Sequence, residues 1–324
     1  MFIQNAIKVT IKPTLTEQKP PLDNHNIDKN LSFTFIAGLI DGDGFIRTYK
    51  HTGEYELTMH IEDEPLLLEL KQQFGGYIQK VFNKNATRFH LNAKTALNGR
   101  QTLIDLTNGL NGHIRNTIRV EQYKKLCQAL GLEYIESGFL TNQDGYIAGL
   151  FVADGTIYMN CRPSAAAKKE KLLNTKASLL VKQKENYKSV DIENQIQRIL
   201  KGVAPLIEVK IVNNILSNVE NISTALGFGI SYYWKKGHNP RGSYGFYIKS
   251  EADVLRFSQY MYLYQTKSVK HKRLNLVQDF YNLKKQKAHL PNASPALAKL
   301  WEVLIRKWYS FDPSLLIKNK QPKP

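Results

Sequence analysis

The sequence predicts a mixed α+β protein made of two copies of one unit, and three observations carry that prediction. The stretch Ile36-Ala-Gly-Leu-Ile-Asp-Gly-Asp-Gly44 returns as Ile147-Ala-Gly-Leu-Phe-Val-Ala-Asp-Gly155. Behind each copy the same kinds of segment follow in the same order. The hydrophobic fraction of 42% over 324 residues is ordinary for globular chains and allows two cores of normal size. The expected class is two pseudo-symmetric αββαββα halves with antiparallel sheets, joined by packed motif helices.

Each copy opens on a helix. Ile36, Leu39 and Ile40 share one face at helical spacing. Gly38 and Gly42 lie four apart beside them, matched by Gly149 and Ala153. A glycine weakens a helix interior by about 1 kcal/mol against alanine. Small residues kept in both copies therefore point to two helices packed closer than the usual ~8–10 Å. Gly44 and Gly155 suit the left-handed position that ends a helix. Strand-like alternation follows: in 55–62, Glu56, Thr58 and His60 alternate with Leu57, Met59 and Ile61.

An apolar stripe at helical spacing comes next, Leu66, Leu67 and Leu70 in the first copy and Ile215, Val219 and Ile222 in the second. Phe74-Gly75-Gly76-Tyr77-Ile78 then matches Leu226-Gly227-Phe228-Gly229-Ile230. Alternating sequence over 87–92 and 243–249 supplies the remaining strands. A helix over 120–130 and one over 274–283 finish the copies. The divisions expected are a loop-like extension over 1–30, a first half over 31–136, a second half over 137–290, and a C-terminal helix and tail over 291–324. The second half is longer by a lysine-rich insertion near 161–204.

Lys plus Arg is 45 and Asp plus Glu 28, a net charge of +17. An excess of that size indicates a polyanionic partner, because each neutralised phosphate releases counterions. No apolar run reaches the roughly 18 residues that span a bilayer. The two cysteines, Cys127 and Cys161, make neither a disulfide framework nor a zinc motif, which fits a reducing compartment. An intracellular, organellar setting is expected, since the Lys/Asn/Ile-rich composition suits an AT-rich organellar gene.

The motif ends carry the chemistry. Asp43 and Asp154 fall on the last turn, where the helix dipole disfavours a carboxylate by about 0.3–1 kcal/mol. Packing the helices brings the two acids together and raises that cost. The arrangement makes sense with divalent cations between them, and hard oxygen ligands favour Mg2+. Asp41 has no acidic counterpart, Val152 standing in its place, and reads as a local backbone-bonding or cap residue.

The doubled motif closely resembles the hallmark of LAGLIDADG homing endonucleases in their single-chain, two-motif form. Asn111-Gly-His-Ile-Arg115, Lys267-Ser-Val-Lys-His-Lys-Arg273, Phe280-Tyr-Asn-Leu-Lys284, Trp301 and Trp308 extend the likeness from about residue 31 to 311. The resemblance implies a saddle whose concave sheets lie along the major groove of a long double-stranded DNA site. It implies a monomer that hydrolyses phosphodiesters. Asp43 and Asp154 become the metal ligands, with the carbonyls of Gly42 and Ala153 assisting. Lys270 becomes the basic residue near the scissile phosphate. In the first half Asn116 falls opposite Lys270, with Arg115 and Arg119 as neighbours.

Strand alternation proposes the DNA-reading residues. They are Arg47, Tyr49, Glu56, Thr58, His60, Arg88, His90, Asn92 and Arg115 in the first half. Tyr158, Asn160, Glu208, Lys210, Tyr232, Trp234, Arg241 and Tyr244 make the second set. Two other functions share the same fold: an intron maturase that binds host-intron RNA, and a DNA-binding regulator without cleavage. Retention of both aspartates favours the nuclease.

Overall fold

The computed structural model describes residues 30–160, 187–203, 205–236 and 239–311, with the side chains of 187–191 and 234–241 left aside. The expected extension over 1–30, most of the insertion near 161–204, the tail beyond 311, and the side chains of Trp234 and Arg241 lie outside the described residues. From Leu31 onward the chain forms one compact unit.

The first motif helix, α1 (Phe33–Asp43), starts where Ser32 accepts the Phe35 N–H. It runs straight into β1 (Gly44–Tyr49), which pairs with β2 (Thr52–His60). A 3-10 turn (Ile61–Asp63) leads to α2 (Glu64–Phe74), with Pro65 in its first turn, and then to β3 (Tyr77–Lys80) and β4 (Ala86–Asn92). The antiparallel sheet has the order β1-β2-β4-β3. Two helices close the half, α3 (Arg100–Leu110) and α4 (Thr117–Leu130). The α3 helix lies outside the expected pattern; its buried face is Leu103, Leu106 and Leu110.

The second copy repeats the plan. It comprises α5 (Tyr146–Asp154), β5 (Gly155–Asn160), α6 (Tyr187–Leu200), β6 (Leu206–Asn213), a 3-10 turn (Leu216–Asn218), α7 (Ile222–Leu226), β7 (Ile230–Lys236) and β8 (Asn239–Ile248). Its sheet has the matching order β5-β6-β8-β7. Helices α8 (Glu251–Tyr262), α9 (Val269–Leu274), α10 (Val277–Lys285) and α11 (Pro295–Ser310) follow.

Three expectations change. Ile215, Val219 and Ile222 do not share one helix: the chain makes a 3-10 turn and a five-residue helix instead. Asn213 is a physical reason, because its side chain accepts the Ile215 N–H and competes with helical pairing. The expected closing helix over 274–283 is two helices, α9 and α10, meeting at Asn275 and Leu276. Gly44 and Gly155 are extended (φ −84° and −74°), not left-handed. Glycine is needed there because strand follows helix with no intervening residue. A Cβ on Gly44 would sit 2.6 Å from the Ile40 carbonyl oxygen, and one on Gly155 would overlap Phe151.

The two motif helices form the seam. A Cβ on Gly38 would overlap the carbonyl oxygen of Tyr146, and one on Gly149 that of Phe35. The backbones therefore touch, as the small residues predict, and Phe35, Ile36, Leu39, Ile147, Leu150 and Phe151 are buried around them. Tyr55, Leu57, Phe89 and Leu91 turn inward from the first sheet, and Ile207, Val209, Ile211 and Phe246 from the second. The alternate residues of both sheets share the opposite faces.

Candidate nuclease centre and nucleic-acid interface

Close contact of α1 and α5 carries their C-terminal ends together. Beside Gly42, the Asp154 carboxyl carbon lies 3.4 Å from where a Cβ would stand, so a side chain there would press on the acid. The Asp43 carboxyl is pushed up to about 6 by burial first and by the charge of Asp154 second, with Lys270 opposing. Asp154 is also raised, again by burial, with Lys270 and Arg119 opposing. Both observations place the two carboxylates as electrostatic neighbours at one half-buried site.

Lys270, on the first turn of α9, sits over the end of α5. Its ammonium donates to the carbonyl oxygens of Val152 and Ala153, each at 2.6 Å, and of Phe151 at 3.3 Å. Burial lowers its pKa, against Asp63, Asp43 and Asp154, which raise it. A cation on the last carbonyls of a helix offsets the dipole that the aspartates feel. The Ala153 carbonyl, expected to assist a metal, accepts from Lys270 here. The two carboxylates do fit a hard cation, since a divalent charge would relieve their mutual repulsion. Among the described residues no group of three His, Cys, Asp or Glu gathers as a metal site, so the pair is the acidic donor set.

The first half has a different cation. Arg119 donates through Nε to the Ile40 carbonyl at 3.3 Å, and its charge is felt by Asp41, Asp154 and Asp43. Asn116, which falls opposite Lys270 in sequence, caps α4 and donates to the Asp41 carbonyl. The cation near the end of α1 is thus Arg119, one turn beyond Asn116. Asp41 is a cap residue, but for a distant segment: its carboxylate accepts the Arg115 and Asn116 N–H groups (2.7 and 2.9 Å) and the Tyr146 hydroxyl (2.6 Å). Burial pushes it up to about 6.

Two residues escaped the sequence. Asp63 ends the 3-10 turn after β2, and its carboxylate accepts the N–H of Val269, which opens α9 of the other half. Asn218 ends the corresponding turn after β6 and accepts the N–H of Thr117, which opens α4. Each half therefore caps the last-helix segment of the other. The signal was faint: Asp63 followed by Glu64-Pro65 reads locally as an N-cap for α2, although its side chain makes no such bond.

The predicted reading residues form two clusters. On the first sheet, Arg88 Nε donates to Thr58 (2.9 Å) and pairs with the Glu56 carboxylate (3.0 Å), and Arg47 lies 3.6 Å from Glu56. His90 Nδ1 donates to Glu54 at 2.6 Å, under a stacked Tyr77, while Tyr49 donates to the same carboxylate. On the second sheet, buried Glu208 accepts from Tyr158, Tyr247 and Asn160, and Lys210 covers the Tyr158 ring. Tyr232 meets Tyr247 edge-on.

Four assignments change. Tyr244 shares the parity of Phe246 and Ile248 and packs toward the core. Arg115 spends its guanidinium on the carbonyls of Gly138 and Phe139 in the linker. His60 accepts the Glu62 N–H, and Asn92 caps the turn at Lys94 and Thr95.

No protein-family model matches the chain. It is 28% identical, over 88% of its length, to a "Probable intron-encoded endonuclease aI2" of Debaryomyces hansenii, of which it covers 39%. It is likewise 28% identical, over 87%, to the "Intron-encoded RNA maturase bI4" of Saccharomyces cerevisiae, of which it covers 37%. The chain thus spans about two fifths of the length of these curated relatives. Among solved structures it superposes on the LAGLIDADG homing endonuclease I-GzeII, crystallised with its DNA target, with a TM-score of 0.52 at 13% identity, covering 86% of this chain and 97% of that one. The doubled motif, the paired helix ends and this shared architecture show that the chain has the fold of the LAGLIDADG homing endonucleases, in its single-chain, two-motif form.

Proposed function

We propose that this chain is a monomeric, site-specific endonuclease that binds a long duplex in the groove formed by its two sheets and hydrolyses both strands. The observation that carries the reading is the meeting of Asp43 and Asp154 at abutting helix ends, with Lys270 and Arg119 beside them. Two acids gathered where a helix dipole and each other's charge disfavour them gain nothing for binding alone. The net charge of +17 supplies the attraction for the duplex. Intron-encoded relatives and DNA-bound structural neighbours support the same reading.

Asp43 and Asp154 would hold the divalent cation, for which Mg2+ is the first choice, while Lys270 and Arg119 neutralise the remaining negative charge of carboxylates and phosphate. When bound, the cation would supply a more acidic water and charge for the leaving oxygen. The experiment is selection of cleaved sites from a randomised duplex library with Mg2+, repeated with Asp43→Asn and Asp154→Asn. Both variants are expected to lose double-strand cutting while binding the selected site in EDTA; unchanged cutting by either would remove the assignment.

A second reading, an intron maturase, is favoured by the yeast RNA maturase among the relatives. A splicing assay with a host-intron transcript separates the two activities, because the Asn variants would keep any folding aid that does not use the centre. An intron-borne, organellar gene fits both readings.

A further inference from the structure

We propose that Arg88 is a guanine-reading fork locked in place by Glu56, and that the first half alone carries this device. The inference rests on the DNA-binding reading above and adds what one half of the site must contain. Arg88 meets its protein neighbours through Nε, which donates to the Thr58 hydroxyl at 2.9 Å and forms an ion pair with the Glu56 carboxylate at 3.0 Å. Its hydrogen bond and ion pair among the described residues both use Nε, which spares the two Nη groups of the terminal edge, and the side chain is 37% exposed. A guanidinium presented end-on donates two parallel hydrogen bonds to the O6 and N7 of guanine in the major groove. It offers nothing comparable to adenine, whose edge there carries a donor beside the acceptor.

The anchor is itself fixed. Glu56 is only 13% exposed and also faces Arg47 at 3.6 Å and His90 at 3.9 Å. Holding an arginine in its bound geometry before the duplex arrives removes the ordering cost of binding. A carboxylate on a surface that meets phosphates lowers general affinity for DNA, so its retention fits selectivity better than attraction.

Strand register defines what the second half holds at the same places. Gly44 pairs with Leu57 as Gly155 pairs with Ile211, so Glu56 corresponds to Lys210 and Thr58 to Val212. Thr58 pairs with Arg88 as Val212 pairs with Gly245. The second sheet therefore has neither fork nor anchor at these positions. By contrast Glu54 and Glu208 correspond, and each binds side chains from both flanking strands. The shared carboxylate holds the sheet face together, and the unshared one sets the arginine.

The test is selection of bound duplexes from a randomised library by the full chain in EDTA, for the wild type, Arg88→Lys and Glu56→Gln, with binding then measured on the best site and on random duplex. The wild type is expected to enrich guanine at one position of a single half-site about tenfold or more, within the range for a bidentate pair. Arg88→Lys keeps the charge and loses the fork, so the preference should fall to about threefold or less. Glu56→Gln should lower that preference several-fold while random-duplex binding tightens, a pairing that simple loss of structure would not give. A guanine preference untouched by Arg88→Lys, or Glu56→Gln that weakens all binding alike, overturns the fork. Failure of the wild type to enrich any sequence overturns instead the DNA-reading function on which it stands.

Discussion

The two halves are equal in their acids and unequal in what surrounds them. At the end of α5, Lys270 holds three carbonyls; at the end of α1, Arg119 holds one. Asp41 caps α4 from within the first motif, whereas Val152 stands in its place in the second. The crossed cap is a charged Asp63 on one side and a neutral Asn218 on the other. The comparison teaches that pseudo-symmetry is kept in the paired acids and lost in the cations and caps around them, as expected if each half handles its own strand of the proposed duplex.

The largest effect should come from the two cations. Lys270→Met is expected to cut one strand on the order of a hundredfold more slowly, the scale for removing one fixed charge from a reacting centre. Arg119→Met should cost about tenfold and on the other strand. Nicking of supercoiled plasmid bearing the selected site, with each strand labelled, reads both. Equal losses on both strands would dissolve the comparison. Next is Asp41→Val, which copies the second motif into the first. It leaves two buried N–H groups and the Tyr146 hydroxyl without their acceptor, so stability should fall by about 3 kcal/mol and the melting temperature by about 6–12 °C.

Smaller effects follow from protonation. Asp41 and Asp43 are both held at about 6, above the ordinary 3.8. The folded chain then binds protons more readily than the unfolded one, so their contribution is full below pH 4 and is lost as pH rises through 6. His271, lowered by burial, works oppositely: its contribution is full above 6.5 and lost below it. Thermal melts in EDTA should therefore show the wild type losing a few degrees more than Asp41→Asn between pH 5 and 7. A parallel pair of curves would contradict the raised carboxyl. The smallest change is expected from the caps. Asp63→Asn should cost about 0.5–1 kcal/mol, as the amide oxygen can still accept the Val269 N–H, and Asn218→Asp should be neutral or slightly stabilising at a helix start. Melts of both variants test it.

Much of this was legible because it is periodic or repeated. The glycine pairs at four-residue spacing announced the seam, and the doubled Asp-Gly ends announced the nearness of Asp43 and Asp154. Strand parity placed Arg47, Glu56, Arg88, Tyr158 and Lys210 correctly on the faces opposite the core. What escaped was decided by contacts remote in sequence. Asp63 and Val269 are linked by one hydrogen bond across the two halves, and no local pattern encodes that. The choice between Arg115 and Arg119 was likewise open in sequence, and Arg119 is the one that bonds the Ile40 carbonyl near the end of α1. Tyr244 was misplaced because Arg241 and Tyr244, three residues apart, do not fall on one face of a regular strand.

The glycine seam also bears on biosynthesis. During translation the α1 surface around Gly38, shaped to receive bare backbone, is complete long before residues 146–154 leave the ribosome. Until then its natural cover does not exist, and Phe35 and Leu39 face water or a chaperone. The nascent first copy is therefore expected to expose apolar surface until the second motif helix is made, and slow elongation through the linker would prolong that exposure.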